Sequence, residues 1–177
     1  MSLHHNFSLL ARYNQWMNNK LYQLASTLTA DQLVHNRGAF FGSVAGTLNH
    51  LLVADLIWLN RCSQLATQPH SLLPLKQLPL PTALDQLLYQ DFTQLYQARQ
   101  HVDCLILAFV AEMDETQLQQ LLSYKNIKGE LMQKKLASVM QHLFNHQTHH
   151  RGQLTTLFSQ MGLDAGVTDL LMLIDNE

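Results

Sequence analysis

Near the C-terminal end the chain reads FNHQTHHRGQ from Phe144 to Gln153, and three of its ten histidines fall within five residues there. Neutral imidazole is the commonest protein ligand for a divalent metal, so spacing decides what such a cluster could do. His146 and His150 are four apart. On a helix that is a rotation of about 40° and a rise of about 6 Å, so both rings can reach one point beside the axis. Paired metal ligands require that arrangement. His142 with His146, and His146 with His149, have helical spacing too. The stripe Val139, Leu143, His146, His150, Leu154, Leu157, Met161 favours the pair His146 and His150, which stand where leucines would otherwise continue a core. His149 falls on the flank of that stripe, and His142 lies one turn earlier.

Two histidines do not complete a catalytic metal site, which takes three protein ligands and an open position. His50, in GTLNHLLVAD, leads as the third ligand, because a lone imidazole among apolar residues on a buried helix is costly to desolvate. His101, in the more polar QARQHVD, competes with it. Asp55 is five residues from His50, a spacing that turns it to another face. HQTHH also invites comparison with HExxH, but Gln147 stands where that motif has a glutamate base. A metalloprotease is disfavoured, and His149 is the nearest titratable candidate for a base. Gly152 costs about 1 kcal/mol in a helix interior relative to Ala, which predicts the close approach of a neighbouring helix. Arg151 could hold an anionic group or pair with a carboxylate on the next helix.

The elements that must position these residues follow from apolar period. Phe7, Leu10, Tyr13, Met17, Leu21, Leu24 and Leu28 recur at three and four, predicting a first long helix, and Thr29 caps a short turn, TADQL. HNRGAFFG reads as a loop. Ser43 is the N-cap of a second helix through SVAGTLNHLLVADLIWLNRCSQLA, apolar on most of its circumference and therefore central. All four prolines lie between Thr67 and Pro81, a connection long enough to pass over the end of a bundle. A third helix is expected from about Thr82 to Met113, with Leu84, Leu87, Leu88, Leu95, Val102, Leu105 and Phe109 in register. Lys128-Gly129 looks like the turn of a small β-hairpin. A fourth helix runs from about Lys135 to Met161, with Gly162 as its stop. The tail, LDAGVTDLLMLIDNE, ends in a short apolar turn or helix that packs back on the bundle. The expected fold is all-α, one domain over residues 1–177: a four-helix bundle with a crossover connection and a hairpin before the last long helix.

Composition narrows the function. A formal charge of -2 offers no basic face to a phosphate backbone, so nucleic acid is not an expected partner. Cys62 and Cys104 are too few for a disulfide framework and read as buried thiols in a reducing compartment. The longest apolar run, LILAFVA, is far too short to span a bilayer, and the N-terminus carries no uninterrupted signal-like segment. A cytoplasmic protein without a membrane partner is expected.

Three stretches resemble the DinB family of small four-helix-bundle proteins: YNQWMNNKLY, SVAGTLNHLLVADLIWLNR and HLFNHQTHHRGQLTTLFSQMG, with DAGVTDLL near the end. The resemblance implies a divalent ion, zinc or nickel, held by His50, His146 and His150, and a homodimer packed through helical faces. Related branches resemble transferases and isomerases that use a low-molecular-weight thiol, so the implied substrate is a small molecule. Such a site could bind a thiol as thiolate or activate water. The alternatives are a non-catalytic metal-binding stress-response protein and a plain helical interaction module without metal. Trp16, Trp58, Phe40, Phe41 and Tyr13 are candidates to line a pocket, with core or interface packing the competing role.

Overall fold

The computed structural model describes residues 2–176. Four long helices form the bundle: α1 (Leu3–Ala25), α3 (Val44–Cys62), α4 (Phe92–Glu112) and α6 (Leu136–Gln160). Short helices α2 (Ala30–Val34) and α5 (Glu115–Leu118) lie in the connections, and a hairpin of β1 (Leu121–Lys125) and β2 (Leu131–Lys135) leads directly into α6. Among the described residues no helix is long and apolar enough to cross a membrane.

The starts and stops obey capping chemistry. Ser43 accepts a hydrogen bond from the Gly46 amide to open α3, and Thr29 with Gln32 forms a reciprocal capping box on α2. At the end of α6, Gly162 adopts φ +74°, and the amides of Gly162 and Leu163 return to the carbonyls of Ser159 and Phe158. That pair of bonds is a Schellman motif, which requires the left-handed conformation glycine adopts most readily. β1 and β2 pair antiparallel from Leu121 opposite Lys135 to Lys125 opposite Leu131, around a turn with Gly129 at φ +78°.

α1 packs along α4 and α6, and α3 packs along the same two helices, so α1 lies diagonal to α3 and α4 diagonal to α6. The links from α1 to α3 and from α4 to α6 are therefore the crossovers. The proline-rich link joins the neighbours α3 and α4 instead. It carries a 3-10 helical segment, His70–Gln77, that inserts Leu72 and Leu75 into the core. Phe7, Met17, Leu21, Leu48, Leu52, Leu56, Phe109, Leu143 and Phe158 are among the side chains that fill the centre.

Three expectations are corrected. The third long helix begins at Phe92, not near Thr82. Backbone groups of the intervening segment are engaged by α3: Asn49 donates to the Tyr89 carbonyl (3.0 Å) and accepts from the Tyr89 amide (2.9 Å), and Asp91 caps the helix that follows. Leu84 and Leu87 accordingly stay exposed. Among the described residues a Cβ at Gly152 would meet nothing within 4 Å, so no helix packs tightly against it; the close approach is at Gly46, whose added Cβ would lie 2.1 Å from the Phe41 carbonyl oxygen. Cys62 is buried, whereas Cys104 is exposed.

The centre also contains charge. Arg99 on α4 donates to Asp55 on α3 (2.7 Å) and lies 3.0 Å from Asp103 one turn on. Asn14 and Asn18 of α1 donate to Asp103 at 3.2 and 2.9 Å. Asn14 in turn accepts from Arg151 of α6. Two carboxylates and two guanidiniums thus tie all four long helices together, with each of the six side chains almost wholly buried. Burial alone would lower the pKa of Arg99, but Asp103 and Asp55 outweigh it and hold the guanidinium charged.

Candidate metal centre

α3 contributes His50 and α6 contributes His146 and His150. One ring nitrogen from each lies within 4.8 Å of those of the other two. The ring centroids stand 5.0, 4.5 and 4.4 Å apart, a nearly regular triangle. His50 and His150 are buried and His146 is half-buried.

Neighbouring groups fix which nitrogen each ring presents. His50 Nδ1 lies 2.8 Å from the Leu84 carbonyl oxygen, which can only accept, so the proton is on Nδ1 and the Nε2 lone pair faces inward. His150 Nδ1 similarly donates to Gln153 Oε1 at 2.9 Å, leaving Nε2 free. Carbonyl partners of this kind orient metal-binding imidazoles and raise their basicity toward a cation. His146 Nε2 is 3.1 Å from His50 Nε2, so in the metal-free chain its N–H donates to that lone pair. The ring plane of His50 is held by Phe41, stacked at 3.7 Å and 16°, and Phe41 also meets the edge of His150 at 5.4 Å.

The electrostatics keep the rings neutral, as ligation needs. Burial, reinforced by the charges that His150 and His50 would carry, lowers the pKa of His146 to about 3. Burial lowers His50 and His150 as well. The donor set also fits an ion by size. Tetrahedral coordination with Zn–N of about 2.0–2.1 Å separates nitrogens by about 3.3 Å. The observed 3.1 Å is close to that value, and the wider contacts of up to 4.8 Å need small ring rotations.

The competing residues sit elsewhere. His101 and His149 are exposed, and His149 meets the Gln153 amide rather than the pocket. Asp55 is committed to Arg99 in the core. Arg151 does not line the pocket and, among the described residues, forms no ion pair with a carboxylate; it is buried on Asn14 and Thr148, with its guanidinium 5.3 Å from the Tyr13 ring. Gln147 donates to the Leu51 carbonyl at 3.0 Å. The histidine brought to the pocket beside the triad is His142, which packs on Trp58 at 5.1 Å.

That pocket, about 400 Å³, has His50 and His146 in one wall and extends past Trp58 toward Tyr124 and Ile127 of the hairpin region. Of the five aromatic candidates, Trp58 lines it and Phe41 braces the histidines, whereas Phe40 is 85% exposed. Trp16 and Tyr13 pair with each other, and the Tyr13 hydroxyl donates to the Thr168 carbonyl in the tail. The outer partners Leu84 and Gln153 were not singled out from the sequence. Gln153 was reachable, being three residues after His150; Leu84 offers only a backbone oxygen and leaves no signature.

Helix packing and site together define a class: a helical bundle whose core histidines, drawn from two helices, open on a pocket and could hold a metal ion. The DinB family model matches residues 1–177, and the chain belongs to that family. It is similar to Protein DinB of Bacillus subtilis (strain 168), 24% identical over 160 residues that cover 90% of this chain and 88% of that protein.

Proposed function

We propose that the protein is a metal-dependent enzyme in which His50, His146 and His150 hold one zinc or nickel ion and a small molecule reacts in the adjoining pocket. The observation that carries this reading is the convergence of the three ring nitrogens within 4.8 Å beside a cavity of about 400 Å³. When bound, a divalent ion keeps its full charge among three neutral ligands and lowers the pKa of a thiol or water at its open position. Thiol transfer and hydrolysis are the reactions that this chemistry serves.

The chain's own groups have separable tasks. Leu84 and Gln153 orient the rings of His50 and His150. Phe41 closes one side of the triad and keeps bulk water from His50. Trp58, Tyr124 and Ile127 give the substrate an apolar wall. His142 is the titratable group placed to move a proton in the pocket, its pKa lowered by burial and by Arg61. We further propose a cytoplasmic homodimer of single-domain chains; the exposed Leu171, Met172 and Ile174 of the tail supply apolar surface for such packing.

The test is metal content of the untagged protein by plasma mass spectrometry, with His146→Ala beside it. About one zinc or nickel per chain, lost in the variant, is expected. No metal in either protein after zinc is added and the excess removed would leave a helical interaction module.

A further inference from the structure

The pocket runs away from the histidines along α3. His50, Ala54, Trp58 and Arg61 line it in steps of three and four, so its two ends are eleven residues apart on one helix face. At 1.5 Å per residue that is about 16 Å between Cα positions. Arg61 forms the far end. Its guanidinium lies 4.4 Å from the Trp58 ring and 4.5 Å from the Tyr124 ring, and the two rings meet edge to face at 5.2 Å. Nη2 donates to the Lys125 carbonyl at 3.3 Å. The guanidinium is thus fixed in place by the hairpin while most of its donors stay unused.

Among the described residues no carboxylate forms an ion pair with Arg61, and partial burial lowers its pKa. The pocket lining contains, among the described residues, histidines and Arg61 but no Asp or Glu. Glu130, on the same hairpin, accepts from Asn126 Nδ2 at 2.7 Å. Lys134 lines the cavity that adjoins the pocket across Trp58 and Tyr124, adding charge of the same sign. An ion held by three neutral imidazoles would add two further positive charges at the other end. A ligand that fills this pocket must therefore bring negative charge to both ends and apolar surface to the middle.

We propose that Arg61 anchors a carboxylate at the far end of the substrate, so that the substrate is an elongated carboxylate with an apolar middle and a metal-seeking head. Guanidinium presents two parallel N–H donors that match a carboxylate. Arg61 is the one permanent cation in the described lining of this pocket, so a single carboxylate neutralises it, whereas a phosphate dianion would bring a second charge with no cation in that lining to match it. The inference rests on the three-histidine reading and specifies what that site acts on.

The probes are mercaptooctanoate and mercaptooctanol, of equal length and with the same thiol head, titrated calorimetrically into the zinc-loaded full chain after its zinc content is measured. The acid is expected to bind about tenfold more tightly than the alcohol, as a charge-assisted pair would give. Arg61→Gln abolishes that preference and leaves the alcohol unchanged. Arg61→Lys keeps the charge and the stem over Trp58 but loses the fork, and gives up about threefold of the preference. Equal affinities for acid and alcohol in the unmodified chain, or equal weakening of both by Arg61→Gln, would overturn the proposal and leave Arg61 a staple between α3 and the hairpin. The same pair is titrated into the zinc-free chain, where the Arg61-dependent preference persists at weaker affinity. A chain that holds no zinc yet keeps the preference refutes the metal reading alone; one that holds zinc without the preference refutes the anchor alone.

Discussion

Replacing Arg99 by Met tests whether the charged layer at the bundle centre is in balance. Arg99 is 1% exposed and stands between Asp55 and Asp103, which are equally buried. Met preserves much of the stem volume, so the main loss is electrostatic. Two carboxylates then share the core with Arg151 alone, and removing one partner of a buried charge pair costs about 3–5 kcal/mol. For a chain of this length that is a drop in Tm of roughly 6–20 °C. Urea unfolding at neutral pH on the metal-free protein gives the measurement. The double variant Asp55→Asn with Arg99→Met restores one carboxylate against one guanidinium, linked through Asn14, and is expected to regain at least about 2 kcal/mol of the loss. A loss below about 1 kcal/mol in the single variant, or a double variant no better than the single, would show that Arg99 does not balance the two buried carboxylates.

Gly46→Ala drives a methyl group against the Phe41 carbonyl and displaces the loop that stacks Phe41 on His50. A loss of about 1–3 kcal/mol is expected by urea unfolding, with weaker zinc binding; a neutral substitution would show that the loop is not held there. Gln153→Ala frees His150 to rotate and should lower zinc affinity about 10- to 100-fold in a chelator competition, while Gln160→Ala, outside the site, changes nothing. The metal-free chain should lose stability on acidification. Unfolded histidines take up protons as pH falls through about 6.5, whereas His146 in the fold stays neutral to about 3, so the loss sets in below about pH 6.5. Allowing for its half-exposed ring, His146 accounts for about 1 kcal/mol by about pH 5. Unfolding midpoints across that range in the native chain and His146→Ala check this, and equal slopes would contradict it.

The histidines of α6 were legible because a polar residue inside an apolar stripe stands out, and Ser43 and Thr29 because capping is local chemistry. What the sequence does not show depends on contacts distant along the chain. Asn14 and Asn18 interrupt the apolar face of α1, as Asp55 does on α3, but their partner Asp103 lies 89 and 85 residues further on from the two asparagines. The start of α4 misled because Leu84, Leu87 and Leu88 keep helical spacing. Their segment is instead bound to α3 by Asn49 and His50, a tertiary contact that no period reveals. Gly152 misled for a related reason: only the neighbour of a glycine, as at Gly46, shows whether its missing side chain matters.

The three-histidine site is tested most plainly by a crystal of the zinc-soaked, untagged protein with diffraction measured on both sides of the zinc absorption edge. One anomalous peak is expected about 2 Å from Nε2 of His50, His146 and His150, open toward the pocket beside Trp58. A peak on the exposed His149 or at the N-terminal His4 and His5, with the triad empty, would contradict that site.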